Sequence, residues 1–207
     1  DFLIGIREIT NELGILLIYD EVQSLRIAPG GAQEYFEITP DITAMGKIVG
    51  GGMPVGAFGG RQDIMSLFDP TDGATITHSG TFNANPMTMI AGETTLSLLT
   101  PEVYQNMNAL GGILRSRLQA VFDELDVPAH VTGVASLYGI HFTSGKVTDY
   151  QSALRSNQDI KVRLFIAMLN EGVLVQPSCS GALSTLTTED EVDTLVQAYR
   201  TSIQRVR

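Results

Sequence analysis

The sequence predicts an α/β domain followed by a smaller α+β domain within 207 residues. Two observations carry that prediction. An apolar run over residues 16–22, with Gly14 ahead of it and an acid pair at Asp20-Glu21, has the pattern of a buried parallel strand ending at Asp20. Further on, Val103, Met107, Leu110, Leu114, Leu118, Val121 and Leu125 mark one long amphipathic helix, with alternating helical and strand-like segments on either side of it. The transition is placed at that helix, giving domains over residues 1–105 and 106–207.

The elements follow in order. Phe2, Ile6, Ile9 and Leu13 fall at helical spacing and Gly14 supplies a stop, so a short helix leads into the Asp20 strand. Residues 62–68 suggest a second short helix, and Asp69-Pro70-Thr71-Asp72-Gly73 a turn leading through Thr75-Ile76-Thr77 to the Gly80-Thr81 loop. Asn85 and Pro86 read as N-cap and first-turn residues of a helix to about Leu99, and Thr100-Pro101 separates it from the long helix. A strand over residues 137–142, a helix over 161–171 stopped by Gly172, and a strand at Val173-Leu174-Val175 come next. Thr188, with Glu191 three residues on, opens a last helix whose buried stripe is Val192, Leu195, Val196, Tyr199 and Ile203.

Composition narrows the function classes. With 43% hydrophobic and 17% charged residues, and no apolar run long enough to span a bilayer, the chain reads as a globular protein without a membrane role. A net charge of −10 disfavours nonspecific nucleic-acid binding. Cys179 is the only cysteine, which excludes an internal disulfide and fits a cytoplasmic location. His78, His130, His141 and Cys179 show no metal-ligand spacing, so no metal site is predicted.

Lys47 is the residue that points to chemistry. It lies in Met45-Gly46-Lys47-Ile48-Val49-Gly50-Gly51-Gly52, an apolar, glycine-rich setting in which partial burial would favour the neutral amine that forms a Schiff base. Asp20 is expected at the carboxyl end of a parallel strand, where ligands bind in open α/β sheets. A carboxylate there can keep a pyridinium nitrogen protonated, as in the lysine and acid pairing around pyridoxal phosphate. The two residues are 27 apart, enough for one further strand to return the lysine to the same edge. Taken singly, Lys47 reads as a solvated surface lysine, Asp20 as a strand-end cap or ion-pair partner, and Gly50-Gly51-Gly52 as a flexible turn, and it is the joint pattern that carries the functional reading.

The joint pattern of Asp20-Glu21-Val22, Thr39-Pro40-Asp41-Ile42-Thr43, the Lys47 segment with Pro54-Val55-Gly56-Ala57, and His78-Ser79-Gly80-Thr81-Phe82-Asn83-Ala84-Asn85-Pro86 resembles the class III aminotransferases. These are fold-type-I pyridoxal phosphate enzymes that include glutamate-1-semialdehyde aminomutase. The resemblance implies the second half of the large α/β domain plus the small C-terminal domain, with Lys47 as the Schiff-base lysine, Asp20 at the pyridine nitrogen and Val22 on one ring face. It implies that Gly80 and Thr81 reach the cofactor phosphate of a neighbouring subunit, hence a homodimer with shared sites. Enzymes of the family run to roughly twice this length, and the chain opens on Asp1, so a fragment that is inactive alone is expected.

Amino-acid and keto-acid substrates follow from the same resemblance. After Val22 the chain continues as Gln23-Ser24-Leu25-Arg26, unlike the Thr-Gly-Phe-Arg of aminomutase-like sequences, and Pro177-Ser178-Cys179-Ser180-Gly181 lacks an aminomutase-type glutamate. This favours an aminotransferase of the branch acting on β-amino acids, with the aminomutase as the alternative and a noncatalytic, dimerising remnant as the second. Gln23 and Arg26 are the candidate substrate contacts. Glu21 reads as structural support for Asp20 and His78 as a loop residue beside the site.

Overall fold

Helix α1 (Phe2–Leu13) carries the predicted spacing and stops at Gly14, whose φ of 65° lies in the left-handed region that a glycine adopts without penalty. None of its residues is fully buried, and Phe2 and Leu13 are 76% and 62% exposed. This computed structural model describes residues 2–73 and 75–206. They fall into two units, Asp1–Tyr104 and Gln105–Arg207.

In the first unit, strand β1 (Ile18–Asp20) runs parallel to β2 (Ile42–Gly46), and β2 pairs antiparallel with β3 (Gly56–Gly60) in the order β1-β2-β3. The predicted parallel strand is present, at the end of this sheet, but its predicted burial is not: Ile18 is 58% exposed and Asp20 is exposed. The crossover between β1 and β2 contains the short helix α2 (Gly31–Tyr35). Asp41, buried just ahead of β2, ties the unit together by accepting hydrogen bonds from Leu17 N (2.7 Å), Arg7 Nη1 (3.0 Å) and Arg61 Nη1 (2.9 Å). Helix α3 (Gln62–Met65) follows β3. Helix α4 (Pro86–Leu98) is capped by Asn85, whose Oδ1 accepts from Met87 N at 3.0 Å and Thr88 N at 3.4 Å.

Helix α5 (Pro101–Glu124) is the predicted long helix, and most of it belongs to the second unit. There β4 (His130–Thr132), β5 (Leu137–His141) and β6 (Ser180–Ala182) form an antiparallel sheet in that order. Helices α6 (Tyr150–Ala153), α7 (Gln158–Asn170) and α8 (Glu189–Val206) complete the unit. Its core gathers Leu114, Leu118, Phe122, Ile140, Phe142, Leu164, Met168, Tyr199 and Ile203, with Phe122 edge-on to Phe142 at 5.7 Å. Strands β4 and β6 are too short for their patterning to stand out in the sequence.

Val173-Leu174-Val175 does not form the predicted strand. Val173 N donates to Met168 O (3.0 Å) to close the end of α7, so it is unavailable for a ladder, and Leu174 is 79% exposed. The place beside β5 is taken by β6. Among the described residues, no helix is long and apolar enough to cross a membrane.

Candidate active site

Parallel pairing decides where the chemistry of the first unit gathers. Ile18, Tyr19 and Asp20 of β1 face Ile42, Thr43 and Ala44 of β2, so both strands end at one edge of the sheet. Asp20 closes β1, and Lys47 follows Gly46 at the end of β2, opening a 3₁₀ turn (Lys47–Gly50). Lys47 has φ +49°, a left-handed conformation that disfavours a residue with a Cβ and costs about 1–3 kcal/mol. Its side chain is exposed rather than partly buried as predicted. Among the described residues its amine makes no hydrogen bond or ion pair.

The turn carrying Lys47 is wedged in place from behind. A Cβ on Gly92 of α4 would lie 2.1 Å from Val49 O, and one on Gly51 would lie 2.1 Å from Ala91 O. Backbone therefore packs on backbone, which only glycine permits. Of the three glycines read in the sequence as a flexible turn, Gly50 and Gly51 are instead a packing surface: Gly50 is buried, and a Cβ there would meet Val55 Cγ1 at 2.7 Å, whereas Gly52, at φ +90°, faces open space. Gly92 and Ala91 were not singled out in the sequence, although a glycine inside a helix is a signal of close approach.

Asp20 is exposed, and its Oδ1 accepts from Val22 N at 3.0 Å. Val22 is half-buried, with its methyl groups 3.4 and 3.5 Å from where a Gly46 Cβ would stand, directly before Lys47. Glu21 points the other way and is fully buried: its carboxylate accepts from Ser24 Oγ, Ala32 N (2.9 Å) and Gln33 N (2.9 Å), anchoring the segment after Asp20 to the start of α2. Gln23 is exposed. Arg26 is half-buried, and burial lowers its pKa while neighbouring Tyr104 raises it.

The structure thus brings Asp20, Val22 and Lys47 to one sheet edge. Gly80 and Thr81 lie in an exposed loop ahead of α4, turned by a hydrogen bond from Asn83 N to Gly80 O (3.0 Å). His78 stands edge-on to Phe58 at 5.3 Å and Phe68 at 6.4 Å, and its Nε2 is 3.4 Å from Asn83 Nδ2, so it braces this loop.

The profile of the family described as Aminotransferase class-III matches residues 1–200. Glutamate-1-semialdehyde 2,1-aminomutase 1 of Staphylococcus epidermidis is 42% identical over 208 residues, covering 99% of this chain and 48% of that protein. An omega-transaminase from Sphaerobacter thermophilus superposes with a TM-score of 0.96 at 44% identity, over 100% of this chain and 48% of its own. The β-phenylalanine aminotransferase from Variovorax paradoxus gives 0.93 at 39% identity, over 99% and 47%. The chain spans about half the length of the curated relatives it matches.

Proposed function

Because this chain belongs to the class III aminotransferase family, we propose that it supplies the lysine- and aspartate-bearing part of an aminotransferase acting between an amino acid, β-amino acids included, and a 2-oxo acid. The observation that carries the reading is the shared edge, where Asp20 and Lys47 follow each other across two parallel strands.

The family's cofactor is pyridoxal phosphate, and the donor set here fits it: an exposed amine that makes no hydrogen bond or ion pair among the described residues, an exposed carboxylate and a half-buried valine beside them. When bound, it supplies an electron-withdrawing ring that stabilises a carbanion. Asp20 would hold the ring nitrogen protonated, keeping its own orientation through the Val22 N–H. Val22 would offer an apolar surface to one ring face, and Gly80 with Thr81 would take the phosphate of a neighbouring subunit, which makes the working unit a homodimer. Lys47 would hold the cofactor through its neutral amine, and once the incoming amine had released it, that amine would serve as the base and acid that moves a proton at the substrate carbon. Gln23 and Arg26 are the substrate contacts in this reading, residues 1–105 are the cofactor domain and 106–207 the small domain, and the location is cytoplasmic.

The chain has three lysines, Lys47, Lys146 and Lys161, which makes a direct test possible. Incubation with pyridoxal phosphate followed by borohydride should give one reduced adduct, mapped by peptide mass spectrometry to Lys47 and lost in Lys47→Ala. Equal labelling of the three lysines would overturn the assignment.

The intramolecular reaction of an aminomutase is the second reading, carried by the 42% identity to the Staphylococcus epidermidis protein. An active form of the protein containing this chain separates the two. Given an amino donor and no keto acid, an aminotransferase stops after half a turnover, whereas an aminomutase consumes glutamate-1-semialdehyde continuously.

A further inference from the structure

Helix α4 has one charged residue, Glu93, among its 13 residues, yet only Thr88 and Gly92 are buried. A helix of that composition ordinarily lies inside a core. One side of it does pack within the chain, where Ala91, Gly92 and Thr95 meet the turn that follows Lys47.

The rest faces outward. Met87, Ile90, Thr94 and Leu98 recur at i, i+3, i+7 and i+11, which places them in one stripe along the helix. Thr94 Oγ1 donates to Ile90 O (2.8 Å) and Ser97 Oγ to Thr94 O (2.8 Å), so both hydroxyls are satisfied on their own helix and neither needs an outside partner. Phe82 is fixed at the head of the helix, where the N–H of the capping residue Asn85 donates to Phe82 O (3.2 Å). Phe82, Met87, Ile90 and Leu98 are between 61% and 82% exposed. At about 200 Å² for a large side chain, they leave roughly 500 Å² of apolar surface on one chain and about 1,000 Å² on two, the size at which a specific interface becomes stable.

We infer that this stripe is where a second copy of the chain docks, α4 against α4 across a two-fold axis. Three features select that occupant. A two-fold contact sets a surface against itself, so a stripe without charge meets its own complement, while a charged partner finds nothing on it to pair with. The exposed area suffices for a self-paired interface. The stripe also continues from the Gly80-Thr81 loop, the segment that reaches a neighbouring subunit in the aminotransferase reading, and for this third feature the inference rests on that reading. The same helix then has the Lys47 turn behind it and the second copy in front, so that one element supports both the lysine and the subunit contact.

Sedimentation velocity of the full chain at about 50 µM, run beside borohydride trapping, provides the test. The unsubstituted chain should sediment as a dimer. Ile90→Lys, at a position exposed enough to accept a charge without unfolding, should weaken the dimer by about 100-fold or more, with far-UV circular dichroism unchanged. Leu13→Lys, nearly as exposed but on α1, should leave the dimer as it was. A monomeric unsubstituted chain would overturn the inference and assign the stripe to a different polypeptide. A dimer indifferent to Ile90→Lys, or weakened equally by Leu13→Lys, would overturn it as well. Trapping keeps the two readings apart: a Lys47 adduct on a monomeric chain sinks only the interface, and a dimer without that adduct sinks only the cofactor assignment.

Discussion

Glu21→Ala is expected to destabilise the chain by about 2–4 kcal/mol, although the side chain takes no part in the proposed chemistry. The carboxylate is fully buried and accepts from Ser24 Oγ and from the backbone N–H groups of Ala32 and Gln33, which open α2. Truncation leaves two part-buried N–H groups without acceptors, each costing about 1–3 kcal/mol, and relief from no longer burying a charge offsets some of that. Glu21→Gln keeps the shape, and its one remaining oxygen can serve two of the three donors. Its cost is therefore smaller, about 1–2 kcal/mol. Urea unfolding provides the assay, with the midpoint shifting and the slope unchanged. At a slope of about 2 kcal/mol/M, Glu21→Ala should lower the midpoint by roughly 1–2 M. Borohydride trapping at Lys47 should survive in Glu21→Gln under native conditions. A midpoint shift below about 0.3 M for Glu21→Ala, or a larger cost for the glutamine variant, would refute the capping argument.

Other outcomes follow from the same geometry. The Asp41 carboxyl is held at about 2, below its ordinary 3.8, by the Leu17 N–H first and then by Arg61 and Arg7, against the opposing effect of burial. Because the folded value is the lower one, its stabilisation is complete above the ordinary value and is lost as pH falls through about 2, so Asp41→Asn should flatten the acid limb of an unfolding-versus-pH curve. Lys47→Gly should be more stable than Lys47→Ala by about 1 kcal/mol in thermal unfolding, since glycine relieves the left-handed backbone, while both variants lose the trapped adduct. Gly92→Ala should destabilise by about 1–3 kcal/mol and reduce trapping at Lys47, because its Cβ drives α4 away from Val49. Equal stability of Gly92→Ala and the unsubstituted chain would show that α4 can shift without cost.

Much of the fold was legible because its signals are local. The 2, 6, 9, 13 stripe and Gly14 marked α1, Asn85-Pro86 marked α4, and the Thr188 and Glu191 pairing marked α8, where the Glu191 carboxylate does accept from Thr188 N at 2.8 Å. The strand prediction at Val173-Leu174-Val175 failed because β-branched residues favour a strand only when a neighbour offers a ladder, and here the N–H of Val173 closes a helix instead. Burial at Asp20 and Lys47 was misjudged for a related reason. An apolar run shows that a segment suits a buried strand, not whether this chain itself supplies the cover.

The sequence by itself determined the family, through residue types at fixed spacings, and with it the pairing of Lys47 with Asp20 as the residues of interest. Tertiary structure decided how they are presented. Parallel pairing of β1 with β2 put both at one edge, the packing of Gly92 on Val49 and of Gly51 on Ala91 held the turn that carries the lysine's left-handed backbone, and Glu21 was turned inward to cap α2 while its neighbour Asp20 stayed outside. Those outcomes depend on contacts between segments distant in the chain, where steric exclusion and hydrogen-bond satisfaction act over a few ångströms of space rather than along the sequence.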